Sequence, residues 1–426
     1  MTFKDLFRMP PALKHRRFAL LWAGYLISFA GSQMQVWAIF WHLRVLSSDP
    51  IVVSGIGIAK FLPILIFALV GGLVADTFNR RTIALITQTI MVLIAVTLGL
   101  LTAYEHIQLW QIYVLVAIQA TAMSFDSPAR QSLVPNLVPR EDLASAFGLQ
   151  SIAGDIGAVV GPALTGLVIA TLGLQWTYWI NAISFLAVLA ALFMMGPVDQ
   201  ARSLDPRKQQ QPLFKKLNFS EIPVGIRFIL KQPIILSSML LDFFATFFSS
   251  ANTLLPFVAR DVLNVGAIGY GWLSAAQSIG SVGVAFFLAQ TPHIRKQGKL
   301  LLLGVGIFGG ATILFGFSKT FTLAMLALIL MGAGDAVSTV LRNTIRQLQT
   351  PDELRGRMIS INQIFFSGGP QLGEVEAGIV ASVVNTPFAI ISGGIGCVIA
   401  VIYVVFHFPT LRNYNGDEQM KAGKVA

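Results

Sequence analysis

The chain has 426 residues, of which 55% are hydrophobic and only 12% charged, where a soluble domain carries roughly 25% charged residues. That composition excludes a soluble globular protein, and the net charge of +10 has no soluble basic domain to sit on, which excludes a nucleic-acid binder. The single cysteine, Cys397, rules out an internal disulfide and reads as a small packing residue.

A bilayer core about 30 Å thick takes about 20 largely apolar residues per helical crossing. The sequence offers roughly twelve such segments, near 18–43, 51–73, 82–104, 109–134, 143–170, 174–195, 234–259, 266–290, 299–317, 321–347, 355–382 and 386–406. The first is too long for a secretory signal and lacks a small-residue cleavage site, so it is expected to stay in the mature chain. Of the 30 Lys and Arg residues, 26 fall on one side of this arrangement, including Arg80, Arg81, Arg130, Arg140 and four from Arg342 to Arg357. Arg44, Arg260 and Lys319 fall on the other side, and Lys60 lies inside a span. The positive-inside rule then places both termini in the cytoplasm.

Span one carries SQMQVWAIFWH, with Gln33 and Trp37 four apart on one face and Trp41 a further turn on. Rings with sparse polar groups suit a bulky amphipathic ligand, and they equally suit plain packing or a lipid-facing surface. Span four ends in Asp126 and Arg130. Asp126 is in reach of Arg80 or Arg130, and a structural charge network there is the simpler reading than proton transfer. In span five, GLQSIAGDIGAVVGPALTG (148–166) sets Gln150, Gly154, Gly157, Gly161 and Thr165 within about 80° on one face. Helices in lipid associate through small residues, so this face is expected to press against a helix of the other half; generic packing is the plainer alternative. Pro162 should add a kink. Asp155 lies about 160° from Gly157 around the helix, and is expected to face its own bundle or a watered cavity. A charge at mid-span costs roughly 2.5–3.5 kcal/mol. That penalty points to proton coupling, with a hydrogen-bonded structural residue as the alternative.

The longest polar stretch, near 198–223, divides the chain into an N-terminal half (1–197), a cytoplasmic linker (198–232), a C-terminal half (233–410) and a tail (411–426). Span seven brings Asp242 and Asn252 within DFFATFFSSANTLLPF, span ten carries Asp335 at its middle, and span eleven carries Glu374 and Glu376. The two glutamates stand about 200° apart, so they cannot face the same way. An internal repeat supports the division. ARQSLVPNLVPREDLASAFGLQSI (129–152) lies over LRNTIRQLQTPDELRGRMISINQI (341–364) with one gap, setting Arg130 on Arg342, Gln131 on Asn343 and Pro139 on Pro351.

Two six-helix halves joined by a cytoplasmic linker resemble the major facilitator superfamily of secondary transporters over nearly the whole chain. GLVADTFNRR (72–81) resembles the family's loop between spans two and three, with Gly72, Asp76, Arg80 and Arg81 matching. Thr77 and Asn79 depart from that pattern, and Asn79 is expected to supply a left-handed turn in place of glycine. The copy between spans eight and nine is eroded to TPHIRKQGK (291–299). Gly148, Gly157, Gly161, Pro162 and Gly166 fit the antiporter motif of the drug efflux branch. FDSPARQSLVPNLVPREDLASA and TPDELRGRMIS are similar to the branch that holds bacterial siderophore exporters, the enterobactin exporter among them, and macrolide efflux proteins.

The resemblance implies an all-α membrane protein of twelve transmembrane helices in the bacterial plasma membrane, the inner membrane of a Gram-negative cell, with spans one, four, seven and ten around a cavity. It implies export of a small amphipathic molecule, siderophore or drug-like, against protons, by a monomer in the lipid bilayer. Gly72, Asp76, Arg80, Arg81, Asp126 and Arg130 would form the gating loop, with Asp76 docking near the start of span eleven. Asp155, Asp335, Glu374 and Glu376 are the proton-coupling candidates. Gln33, Trp37, Trp41, Asp242 and Asn252 are the cavity candidates. No cofactor and no metal is expected: the five histidines are scattered, and no Walker-type loop or metal-ligand spacing occurs, which also argues against an enzyme. Rival readings are an importer or lysolipid translocase on the same fold, and a membrane sensor that does not transport.

Overall fold

The computed structural model describes residues 10–198, 222–291 and 294–416, and among these the regular structure is helical throughout, without a strand. The long helices are α1 (Arg16–Leu46), α2 (Ile56–Thr77), α3 (Arg80–Ala103), α4 (Leu109–Leu133), α5 (Leu143–Thr171) and α6 (Leu174–Met195). They continue as α7 (Pro233–Ser249), α8 (Gly266–Ala289), α9 (Gln297–Phe317), α10 (Phe321–Leu348), α11 (Asp352–Val383) and α12 (Thr386–His407).

Local sequence explains many of their ends. Asn385 caps α12 by accepting from the Phe388 amide at 2.8 Å, and Thr320 caps α10 through the Leu323 amide at 3.4 Å. Asn79 does the same for α3, its Oδ1 taking the Thr82 amide at 3.1 Å with φ −67° and ψ 115°. The expected left-handed turn at Asn79 is therefore absent, because an extended N-cap satisfies an otherwise unpaired helix donor. Gly173 (φ 100°) and Gly196 (φ 72°) bracket α6 with backbone that side chains disfavour.

Nine described segments are long and apolar enough to cross a membrane. α1, α4 and α11 are as long but less apolar, since they carry Gln33, Gln35 and His42, then Gln111, Gln119 and Asp126, then Gln371, Glu374 and Glu376. Span seven departs from the single helix expected. α7 stops at Ser249, Ser250 and Ala251 stand outside any helix, and short helical turns run from Asn252 to Val262. Pro256 supplies no amide and crowds the carbonyl four residues back, while the serines and Asn252 compete for backbone groups.

The chain forms two compact units, Met1–His42 with Leu62–Leu217, and Leu43–Phe61 with Asn218–Ala426. In the first, a core of Phe18, Leu21, Tyr25, Leu133, Leu149 and Leu192 joins α1, α4, α5 and α6. In the second, α10 packs on α8 and α9, and α7 on α11 and α12. The stretch Leu43–Phe61 is tied into this second unit by Arg44, whose Nη2 donates to Asp261 at 2.8 Å, and by Ser54 Oγ, 3.0 Å from Thr253 Oγ1.

The glycine seam of α5 packs inside the first unit, against α1, and this corrects the expected contact with the other half. A Cβ added at Gly157 would stand 2.8 Å from Phe29 Cβ, and one at Gly161 would stand 2.6 Å from both the Ala30 oxygen and Gln33 Cβ. Thr165 Oγ1 continues the seam, donating to Met34 O at 3.2 Å and Gly161 O at 2.8 Å. Pro162 and Gly166 are buried beside it. The second unit repeats the device, with Gly369 and Gly373 of α11 against Thr246 and Phe247 of α7. Backbones that approach this closely tolerate no side chain. Gly161→Leu should therefore cost about 1–3 kcal/mol, toward the upper end, while Gly148→Leu, with nothing within 4 Å of its added Cβ, should be neutral. Thermal unfolding of the two purified variants checks this; equal melting would refute the contact.

Candidate functional site

Ser238 and Asp242 stand four residues apart on α7, and Asp335, Ser338, Thr339, Arg342 and Arg346 recur along one side of α10 at helical spacing. The two faces meet in the second unit. Arg342 Nη1 lies 3.0 Å from Asp242 Oδ1, and Arg346 Nη2 lies 3.2 Å from Asp242 Oδ2. Arg346 is further held by Ser238 Oγ at 3.0 Å, Ser238 O at 2.8 Å and Asn362 Oδ1 of α11 at 2.5 Å. Arg342 donates to Ser338 Oγ at 2.9 Å and Thr339 Oγ1 at 2.8 Å, and reaches Asp335 Oδ1 at 3.7 Å.

Two guanidinium groups and two carboxylates thus balance in the interior. Their access to solvent differs sharply. The Asp242, Arg346 and Arg342 side chains are 0%, 2% and 4% exposed, whereas Asp335 is 34% exposed. Asp335 is the most exposed member of the cluster. A charge change there is felt at once by Arg342, because buried charges are weakly screened.

Asp242 and Asp335 were legible as acids in spans, but their arginine partners were missed. Arg342 and Arg346 sit within α10, largely buried, although the sequence reading counted both only as charges on the cytoplasmic side at the end of span ten. Their spacing of 7 and 11 residues from Asp335, two and three helical turns, was the available signal. Gln35 was missed as well. Wholly buried in α1, it donates to Gln119 Oε1 at 3.0 Å and accepts from Asn181 Nδ2 at 2.7 Å. Gln33, Trp37 and Trp41 on the same helix are only half-buried, and Trp37 packs edge-on to Phe40 with centroids 5.6 Å apart. Asn252 is half-buried in the break of span seven.

In the first unit, Asp126 is buried and accepts from Thr87 Oγ1 at 2.9 Å and Gln88 Nε2 at 3.0 Å, with Arg130 Nε 3.9 Å away. Arg80 takes no part in this network. It donates to Ser132 O at 2.8 Å and Asn136 Oδ1 at 2.9 Å, closing the end of α4. Arg81 Nε donates to Leu192 O at 2.8 Å. Gly72 and Asp76 occupy the last two turns of α2, and the Asp76 side chain lies outside the described residues, as do Arg355 and Arg357 at its expected docking place.

Asp155 is exposed on the side of α5 away from the α1 seam, in line with exposed Gly148 and Ser151. It does not face the interior of its own bundle, since Gly157, Gly161 and Thr165 take that side. Glu374 is buried in α11, within electrostatic reach of Lys60, and its Oε2 has no hydrogen-bond partner among the described residues. Glu376 is half-buried on another face.

A family model described as "Transmembrane secretion effector", of the major facilitator class, matches residues 9–424. The enterobactin exporter EntS of Escherichia coli (strain K12) is 27% identical over 347 residues, 81% of this chain and 80% of that protein, and the protein of the same name from Shigella boydii serotype 18 matches equally. A bacterial homologue of the human lysosomal transporter Spinster, inward-facing and unoccupied, superposes with a TM-score of 0.69 at 16% identity, covering 95% of this chain and 97% of that one. A POT family transporter in complex with 5-aminolevulinic acid gives a TM-score of 0.71 at 11% identity, covering 93% and 96%. These structural likenesses show the fold.

Proposed function

The chain belongs to the transmembrane secretion effector family of major facilitator transporters, and from that membership we propose that it exports a small amphipathic molecule from the cytoplasm by proton antiport and alternating access. It is a multi-pass membrane transporter and not an enzyme. The reading takes α1, α4 and α11 as spans beside the nine more apolar segments, twelve in all with both termini cytoplasmic, in the plasma membrane of a bacterium. The nature of the cargo, siderophore or drug-like, is drawn from the enterobactin exporters.

The observation that carries proton coupling is the cluster of Asp242, Arg342, Arg346 and Asp335. An isolated charge in hydrocarbon is expensive, and a balanced cluster with one accessible carboxyl can exist in two charge states at modest cost. When Asp335 takes a proton, Arg342 loses a partner at 3.7 Å and keeps Asp242 at 3.0 Å. The cluster then carries one extra positive charge, which favours whichever conformation gives Arg342 water or an anion. Binding a proton and changing conformation are linked in this way, as coupling between two sites requires. The break in span seven interrupts the helix next to Asn252, the kind of discontinuity tolerated in a membrane only beside a cavity or protein. Glu374 we assign to holding Lys60 of α2, by charge, against α11.

Asp335→Asn keeps the shape and removes the titration. In proteoliposomes with an imposed pH gradient, it should reduce uphill export at least about tenfold while leaving downhill exchange of the same substrate. Uphill export at the parental rate would refute the assignment. Import coupled to inward proton flow would refute the direction.

A further inference from the structure

The first unit contains a cavity of about 270 Å³ among α1, α4 and α5, remote in sequence from every member of the α7–α10 charge cluster. Its walls include Trp22, Tyr25, Phe29 and Phe147, with Arg130 and Gln150 between them. With Phe18, five rings line this space, which suits a flat apolar body.

Two polar groups of the cavity, the Arg130 guanidinium and the Tyr25 hydroxyl, make no hydrogen bond to a described residue. The Arg130 guanidinium lies over the Tyr25 ring at 4.8 Å and the Phe29 ring at 4.9 Å, so its planar faces are stabilised by the aromatic quadrupoles. Its edge is not used in the same way. The nearest carboxylate oxygen, Asp126 Oδ2, is 3.9 Å from Nε, beyond hydrogen-bond range, and the guanidinium donates no hydrogen bond to a described residue. Asp126 Oδ1 accepts from Thr87 and Gln88, which leaves Oδ2 on the Arg130 side at that distance. The Tyr25 hydroxyl is buried and has no hydrogen-bond partner among the described residues. Trp22 is already engaged, its indole donating to Leu149 O at 2.8 Å. A buried hydroxyl left without an acceptor costs free energy, and a ligand oxygen that reaches both it and the Arg130 edge removes that cost.

We propose that this cavity is a binding site for a small aromatic organic anion, its carboxylate or phenolate oxygen taken by Arg130 and Tyr25 and its ring held among Trp22, Phe29 and Phe147. A guanidinium fork suits two oxygens at once. Arg130 is the repeat counterpart of Arg342, and the two units use the same position differently: Arg342 is engaged by Asp242, Ser338 and Thr339, whereas Arg130 makes no hydrogen bond to a described residue. That this site loads the exported molecule rests on the exporter reading; the binding itself does not.

Isothermal titration calorimetry on the purified full chain, without any gradient, tests the proposal with 2-naphthoate as the probe and 2-naphthalenemethanol and 2-naphthylmethylammonium as neutral and cationic counterparts. The anion should bind best. R130Q should weaken it by about tenfold or more, with little change for the neutral alcohol, and Tyr25→Phe should weaken it several-fold. The tyrosine variant decides the matter if R130Q fails to fold, because its hydroxyl bonds to no described residue and its loss leaves the ring packing in place. Equal binding of 2-naphthoate to parent and Tyr25→Phe, or preference for the ammonium compound, would overturn the site. Binding as expected without proton-driven export would leave the site standing and remove the exporter reading, and export without binding would do the reverse.

Discussion

Asp242→Ala should be the most damaging single change in the second unit. It strips the shared carboxylate from Arg342 and Arg346 at 3.0 and 3.2 Å, leaving two guanidinium groups that are 4% and 2% exposed with no full charge to face except Asp335 at 3.7 Å from one of them. Removing one partner of a buried pair typically costs about 3–5 kcal/mol, because the remaining charge is stranded away from water. Yield and thermal unfolding of the detergent-purified variant should both fall steeply. Replacing all three groups together by apolar residues of similar volume should recover much of the stability without restoring uphill export. A parent-like melting temperature in Asp242→Ala would mean that the arginines find water the structure does not give them.

Asp155→Asn should have the opposite profile, with an unchanged melting temperature and at least about tenfold loss of uphill, pH-driven export. The carboxylate is exposed on α5 and has no hydrogen bond or ion pair among the described residues, so an isosteric amide disturbs no contact. The same exposure makes a purely structural role difficult to sustain. In lipid the charged group would cost roughly 2.5–3.5 kcal/mol, a penalty relieved if water visits that side of the helix or if the group holds a proton. Measuring downhill exchange beside uphill export separates coupling from binding. If the variant pumps at the parental rate, Asp155 carries no transported proton and Asp335 remains the candidate.

The helices were legible because the requirement behind them is local. About 20 apolar residues in a row must satisfy their own backbone in a membrane, and stretches such as Arg80–Ala103, Leu174–Met195 and Thr386–His407 announce this without reference to anything distant. Contacts at helical spacing were legible for the same reason, so Arg130, four residues on, was one of the two partners offered for Asp126 from sequence, with Arg80 the other. The break at Ser250 was written locally too, in the serines and Pro256, although the apolar run around them hides it.

Other features depended on which helix lies beside which. Nothing near Gly161 says that Ala30 will face it, and nothing near Arg346 says that an aspartate 104 residues away will neutralise it. A glycine stripe specifies only that some backbone will come close, and a basic residue at a helix end is compatible with water or with a buried carboxylate. Packing chose between these. It turned Arg346 from an apparent helix-end charge into part of a buried cluster, left Asp335 as its most exposed member, and set Arg130 against aromatic rings with Asp126 at 3.9 Å, where its repeat partner holds Asp242 at 3.0 Å. Side-chain chemistry is fixed residue by residue, but a charge acquires its role from neighbours brought together by the fold, and those neighbours lie many helical turns away along the chain.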